Sequence, residues 1–309
     1  MKTQPSPIRR LSPASAFALV IAAGLSLTAS ATPALAGEMH VTVQDQSVAR
    51  MVSLGGSCNA CELSGRNLSG ATFTGASFLN ATLVGANLRG AELMGSNFSS
   101  SDFTRADLRG VSMTGANFSE ADFTNANLSG VEAQGSRFIR ARMGNANLSG
   151  SELMGANFNG ADLNNANLRG SELMGATLAN VRAARADLSQ SEINAANLSN
   201  GDFTSVSFRG SELNSARLTG GTFTRADFTG AEMNRTDVRG TDLSRARGLT
   251  QEQIGRACGD GATRLPGNLT ARSCTISTLR IVRTPPAPPR PPAPPVPPRV
   301  RNIITLAAD

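Results

Sequence analysis

Tryptophan and tyrosine are absent from this 309-residue sequence, histidine and lysine occur once each, and cysteine occurs four times. Each scarcity removes a class of chemistry. The single histidine, His40, has no second histidine and no partnered nucleophile, so it builds neither a Ser-His-Asp constellation nor a metal site. Without tyrosine or tryptophan there is little for unpaired bases to stack on, which makes nucleic acid a poor partner. The apolar run Ala16 to Leu27 falls short of the about 20 residues that span a bilayer, so no stable transmembrane segment is expected once a leader is removed.

What the sequence does contain is a period of five. Every fifth residue from Leu63 to Leu243 is apolar, through Leu68, Phe73, Phe78 and on to Met233 and Val238, which makes 37 units in unbroken register. Two residues before each centre the chain is nearly always small, as at Ala71, Ala76, Ser96 and Ala156. The unit reads Ala-(Asn/Asp)-(Leu/Phe)-(Ser/Thr/Arg)-Gly. Five matches neither the 3.6 residues of a helix nor the two of a strand, so the chain must turn within each unit. Twelve of the 13 Phe residues occupy centres; the exception, Phe17, lies in the leader. Units this short bury their apolar face by stacking on neighbouring coils of a solenoid.

A residue type confined to one side of such a stack recurs once per coil. Glu92, Glu132, Glu152, Glu172, Glu192, Glu212 and Glu232 follow a spacing of twenty, broken only at Ser112, and Phe78, Phe98, Phe118, Phe138 and Phe158 keep the same spacing. Four units therefore make one four-sided coil. At roughly 4.8 Å per coil, about nine coils give a rod on the order of 45 Å long. The stretches AELMGSNF, ADLNNANL and SELMGANF resemble the pentapeptide-repeat family over roughly 190 of the 309 residues. That resemblance implies an all-β fold, a right-handed quadrilateral β-helix. It does not itself imply an activity, because a repeat scaffold hosts unrelated functions.

In chain order, residues 1–36 read as a secretory signal peptide: Lys2, Arg9 and Arg10 precede the apolar run, and Ala34-Leu35-Ala36 offers a cleavage site before Gly37. Residues 37–57 form a lead-in whose His40-Val41-Thr42-Val43 alternates as a strand covering the first coil would. The β-helix is expected over 58–247, a C-terminal cap over 248–279 and a Pro/Arg-rich tail over 280–309. The four cysteines flank the array as Cys58 and Cys61 before it and Cys258 and Cys274 after it. In an exported protein they predict disulfides, and the local pairing is the expected one. A disulfide needs α-carbons within about 7 Å, far less than the expected rod, and the same distance excludes a four-cysteine zinc site. Cys58-Asn59-Ala60-Cys61 has redox-motif spacing, but thioredoxin-like chemistry needs a helix N-terminus, and this stretch enters a β-solenoid. A structural cap is expected.

On the surface, Glu132, Glu152, Glu172, Glu192, Glu212 and Glu232 form a carboxylate column that either solubilises one side or docks a cation or basic partner. A second column, Arg89, Arg109, Arg169 and Arg209, is expected to compensate part of it. Ala133 and Ala183 are undersized centres beside Val131 and Val181, which reads as volume compensation. Thr250 as N-cap and Gln253 at the third helical position, stapled by Leu249 and Ile254, predict a short capping helix over the last coil. Ten prolines within 285–298, together with Arg280, Arg283, Arg290, Arg299 and Arg301, predict a disordered, basic polyproline tail. It serves as a spacer or as a tether to an anionic envelope component or a groove-bearing partner.

The sequence thus predicts a non-catalytic exported scaffold, periplasmic or secreted, without cofactor or metal. Its partner is an unidentified protein or envelope component, and self-association is left open. Some pentapeptide-repeat proteins mimic duplex DNA and bind topoisomerases, which is the alternative. A mimic needs one sign of charge along its length, whereas Glu62 to Arg247 holds 18 acidic residues and 17 arginines. The leader also argues against it.

Overall fold

The computed structural model describes residues 56–274. The leader, residues 37–55 of the lead-in with His40, residues 275–279 of the cap and the whole Pro/Arg-rich tail lie outside the described residues.

Each five-residue unit supplies a bridging residue, a buried centre and a two-residue corner. At Leu68 the amide donates to the Asn87 carbonyl at 2.7 Å, the Asn87 amide returns to Arg66 at 2.9 Å, and the Ala71 amide closes the corner onto Leu68 at 3.1 Å. A corner of this kind needs positive φ at its third residue, and Gly70 supplies it at φ 65. Glycine is not obligatory, however, because 18 non-glycine residues take the same conformation, among them Asn80, Arg105, Asn145 and Ala195.

Bridge partners lie twenty residues apart from Ser57↔Ser77 through Asp227↔Arg247, all parallel. Four units complete a turn, and four ladders form the sides of a β-helix. The ladder begins at Gly56 and Ser57, two residues earlier than the expected boundary. On three sides the bridging residue is often Asn or Asp, for a local reason. Its side-chain oxygen accepts the amide two residues on in an Asx turn, as in Asn87 from Arg89 at 3.2 Å, Asp102 from Thr104 at 2.8 Å and Asp202 from Thr204 at 3.0 Å. Asparagines also bond from coil to coil, Asn167 donating to Asn147 at 3.1 Å and Asn147 to Asn127 at 3.3 Å.

Inside, the centres stack in columns. The rings of Phe78, Phe98, Phe118, Phe138 and Phe158 are fully buried, with successive centroids 4.6, 5.6, 5.4 and 4.9 Å apart. Burying each such side chain contributes about 1.5–3 kcal/mol before conformational entropy is subtracted. Serine tolerates the inward small position because its hydroxyl reaches a carbonyl: Ser101 donates to Phe78 and Ser136 to Met113, each at 2.6 Å. No buried side-chain nitrogen or oxygen among the described residues lacks a partner.

Ala183 and Val181 are fully buried, and the compensation between them extends to the next coil. There the small position is Gly201, and a Cβ built on it would lie 2.6 Å from Phe203 Cε2 and 3.2 Å from Val181 Cγ2. The coil with a small centre and large neighbour is thus followed by one with a large centre and no neighbour side chain.

Beyond Arg247 the bridge spacing lengthens, to Asp237↔Cys258 and Asp242↔Arg264. The inserted residues include helix α1 (Gln251–Arg256), followed by β1 (Cys258–Gly259), which pairs in parallel with β2 (Arg272–Ser273). Thr250 Oγ1 accepts the Gln253 amide at 3.3 Å, while Gln253 Oε1 accepts the Thr250 amide at 2.7 Å. The Gln253 side chain also donates to the carbonyls of Phe228 and Ala231 at 2.9 and 2.8 Å, covering acceptors that would face the next coil. Ile254, on the helix itself, is fully buried.

Candidate docking face

Glu132, Glu152, Glu172, Glu192, Glu212 and Glu232 occupy successive bridge positions of one ladder, and Glu92 joins it through Ser112. Stacked at about 4.8 Å, neighbouring carboxylates repel by a little under ~1 kcal/mol per pair in water. The compensation is not arginine. No ion pair among the described residues includes a carboxylate of this column. Corner amides and one hydroxyl approach it instead: Asn194 donates to Glu212 at 2.7 Å, Asn214 to Glu232 at 3.2 Å, Gln134 to Glu152, and Thr72 to Glu92 at 3.4 Å.

The arginine column expected to neutralise these carboxylates turns the other way. Arg109 forms a two-pronged pair with Asp107 at 2.8 and 2.6 Å, Arg209 reaches Asp227 at 3.1 Å, and Arg169 donates to Gln190 at 2.6 Å. The bridging Asp sits two residues before the corner, held in place by its Asx turn, so it offers a nearer carboxylate than the adjacent side does. Bonded to the Arg109 side chain, Asp107 lies below the usual carboxylate range despite partial burial, and Arg239 does the same for Asp237. For Asp227, burial acts upward but is outweighed by the hydroxyl and amide of Thr229 and by Arg209. An open cleft of about 410 Å³ on this corner holds Arg169 and Arg209 together with Asp187, Ser189 and Gln190, so its charges are mixed in sign.

The Glu side carries a second feature, an apolar one. Among the described residues the exposed large hydrophobic side chains are Met94, Met154 and Met174, at 41, 38 and 46% exposure. Each lies two residues after a carboxylate of the column, in the sequence Glu-Leu-Met-Gly. The corners bounding this side from Gly70 to Gly175 are glycine at every coil: Gly70 to Gly170 along one edge and Gly75 to Gly175 along the other. A Cβ added at any of them would meet nothing within 4 Å.

The cysteines form two local disulfides, Cys58–Cys61 in the first coil and Cys258–Cys274 joining β1 to the residue after β2, and no described cysteine is free. Among the described residues no group of three or more His, Cys, Asp or Glu is placed to hold a metal ion, and no helix is long and apolar enough to cross a membrane. Sequence reasoning missed the methionines and the glycine edges. The signal was present as three copies of Glu-Leu-Met-Gly on the twenty-residue spacing.

The family model of pentapeptide repeats matches in eight copies, over ranges that run from residues 61–99 to 207–245. No match was found among curated proteins. Among solved structures the chain is similar to HetL, a pentapeptide repeat protein involved in heterocyst differentiation regulation from the cyanobacterium Nostoc, at 26% identity and a TM-score of 0.58, covering 67% of this chain and 92% of HetL. QnrB1, a plasmid-mediated fluoroquinolone resistance protein, shares 22% identity over 67% of this chain and 92% of its own, with a TM-score of 0.32. A pentapeptide repeat protein of the Arabidopsis thaliana thylakoid lumen shares 29% identity over 35% of this chain and 68% of its own, with a TM-score of 0.22.

Proposed function

The chain belongs to the pentapeptide-repeat family and has its right-handed β-helix, and from that premise we propose that it is an exported, non-catalytic scaffold presenting its ladders to a protein partner. The observation that carries this reading is the closure of both ends by local disulfides, which leaves none of the four cysteines free. Such bonds persist in oxidising compartments, and residues 1–36 have the composition of a leader that would deliver the chain there. A filled interior supports the non-catalytic part, because chemistry would need a cleft with converging groups, and the centres from Leu63 to Leu243 are buried. The basic tail, with Arg280 to Arg301, supplies a means of reaching an anionic envelope component. Binding to a topoisomerase by mimicry of DNA is disfavoured by balanced charge, the described residues holding 20 Asp and Glu against 20 Arg.

The test is cross-linking in the native host with a tagged full-length chain, followed by mass spectrometry of adducts from separated envelope and cytosolic fractions. An adduct with an envelope protein supports the scaffold. A cytosolic adduct with a topoisomerase would replace it with the alternative.

A further inference from the structure

One corner position on the Glu side decides what the carboxylate of the next coil meets. Gln134, Asn194 and Asn214 occupy it and donate to Glu152, Glu212 and Glu232, each 18 residues on. In the two coils between Gln134 and Asn194 the same position holds Met154 and Met174. The carboxylates 18 residues beyond these, Glu172 and Glu192, have no hydrogen-bond or ion-pair partner among the described residues. Thioether in place of amide has thus withdrawn two donors from a column of like charges. Little is buried in exchange, for Met154 and Met174 remain 38 and 46% exposed.

We propose that Met154 and Met174, together with Glu172 and Glu192, form a site for a soft monovalent cation, of which Cu(I) is the biological representative. The two corners are locked side by side: the Gly155 amide donates to the Met174 carbonyl at 2.9 Å, and Glu152 and Glu172 are bridge partners. Equivalent points on neighbouring coils are about 4.8 Å apart. A cation held in line between two sulfurs, with metal–sulfur bonds of about 2.3 Å, needs those sulfurs about 4.6 Å apart, so the rise of the coil matches the span of the site. Both coils carry the same residues, Ser-Glu-Leu-Met-Gly-Ala, which gives the two thioethers the same setting. Gly155 and Gly175 place no side chain beside them, and an added Cβ at either would meet nothing within 4 Å. Asn194 and Asn214 bond the carboxylate of the coil beyond them, which shows that a group at this corner reaches it.

The donor set decides which ion fits. Thioether sulfur is a soft, uncharged ligand that favours Cu(I), whereas Mg and Ca are held by oxygen. The two carboxylates supply the negative potential that draws a cation to the sulfurs. Among the described residues no group of three or more His, Cys, Asp or Glu could hold a metal by itself and no cysteine is free, so the thioethers are indispensable to the site. Arg169, on the far edge of this side, is engaged with Gln190 at 2.6 Å. Met94 is a built-in control. It has the same corner position and similar exposure, but its coil neighbours there are Thr74 and Thr114, and the residue 18 further on is Ser112. The inference rests on the coils alone and holds whether or not the chain is exported.

Ag(I), which has the same preference for sulfur and does not change oxidation state in air, is the probe. The full-length chain, labelled with 13C at the methionine methyls and carrying His40→Ala to remove its one imidazole, is titrated in chloride-free buffer. The Met154 and Met174 signals should shift together and saturate at one equivalent while Met94 stays in place. The buried Met113 and Met143 should not move, which reports an intact fold. In the variant Met154→Leu, apparent affinity at Met174 should fall at least about tenfold. The proposal would be overturned by a Met94 signal that titrates with the same midpoint as the pair, by saturation at two equivalents, by an affinity at Met174 that Met154→Leu leaves unchanged, or by no shift at either methionine.

Discussion

Gly201 gives the sharpest test of how this core is packed. A Cβ there would lie 2.6 and 3.1 Å from Phe203 Cε2 and Cζ and 3.2 Å from Val181 Cγ2, so Gly201→Ala requires the ring to move. It has little freedom to do so: Phe203 is fully buried and stacks on Phe223 with centroids 5.1 Å apart. Overpacking of this kind costs about 1–3 kcal/mol. Because a repeat stack need not unfold in one step, the readout is paired: the far-UV thermal midpoint and hydrogen exchange at amides of this coil and its neighbours. Gly201→Ala should lower the midpoint and speed local exchange. Adding Phe203→Leu restores the Ala-and-Leu arrangement seen at Ala161 and Leu163 and should recover much of the loss. A single substitution costing less than about 0.5 kcal/mol, or a double variant worse than the sum of the singles, would refute the alternation of large and small residues between coils.

Ala195 adopts φ 57 at an exposed corner, so Ala195→Gly should stabilise the chain by about 0.5–1 kcal/mol, seen as a raised thermal midpoint. Gln253→Ala removes half of the capping box and two bonds to the last coil, and should cost about 1–2 kcal/mol with faster exchange confined to that end. Asp107 and Asp237 have folded pKa values held below the ordinary one by Arg109 and Arg239, so their contribution is complete above the unfolded value of about 3.9 and is lost as pH falls through the folded values. Acid titration of the midpoint should show this loss, and Asp237→Asn should make the acid limb shallower.

Much of the fold could be read from the residues because every unit meets nearly the same surroundings. The centre is inward and the corner takes positive φ in each unit from Ala60 to Gly240, so the five-residue pattern reports the backbone directly. The twenty-residue recurrence of Glu and Phe does the same for the coil, since one side of a stack sees one environment. Once an exported chain is expected to form disulfides, the length of the rod selects the local pairs Cys58–Cys61 and Cys258–Cys274. What could not be read was where flexible side chains turn. Arg109 chooses Asp107 over the Glu side because an Asx turn fixes that carboxylate beside it, a detail the spacing does not state. Gly201 resembles one more small residue until Phe203 is seen to fill its space. The glycine edges resemble ordinary corner glycines until the other corners are seen to manage without them.

The account's central claim, an exported scaffold closed by disulfides, is most directly tested by fractionating the native host and measuring the mass of the mature N-terminus and the free thiols. It predicts an envelope or secreted form that starts at Gly37 and has no free thiol. An intact cytosolic chain starting at Met1 with four free thiols would contradict it.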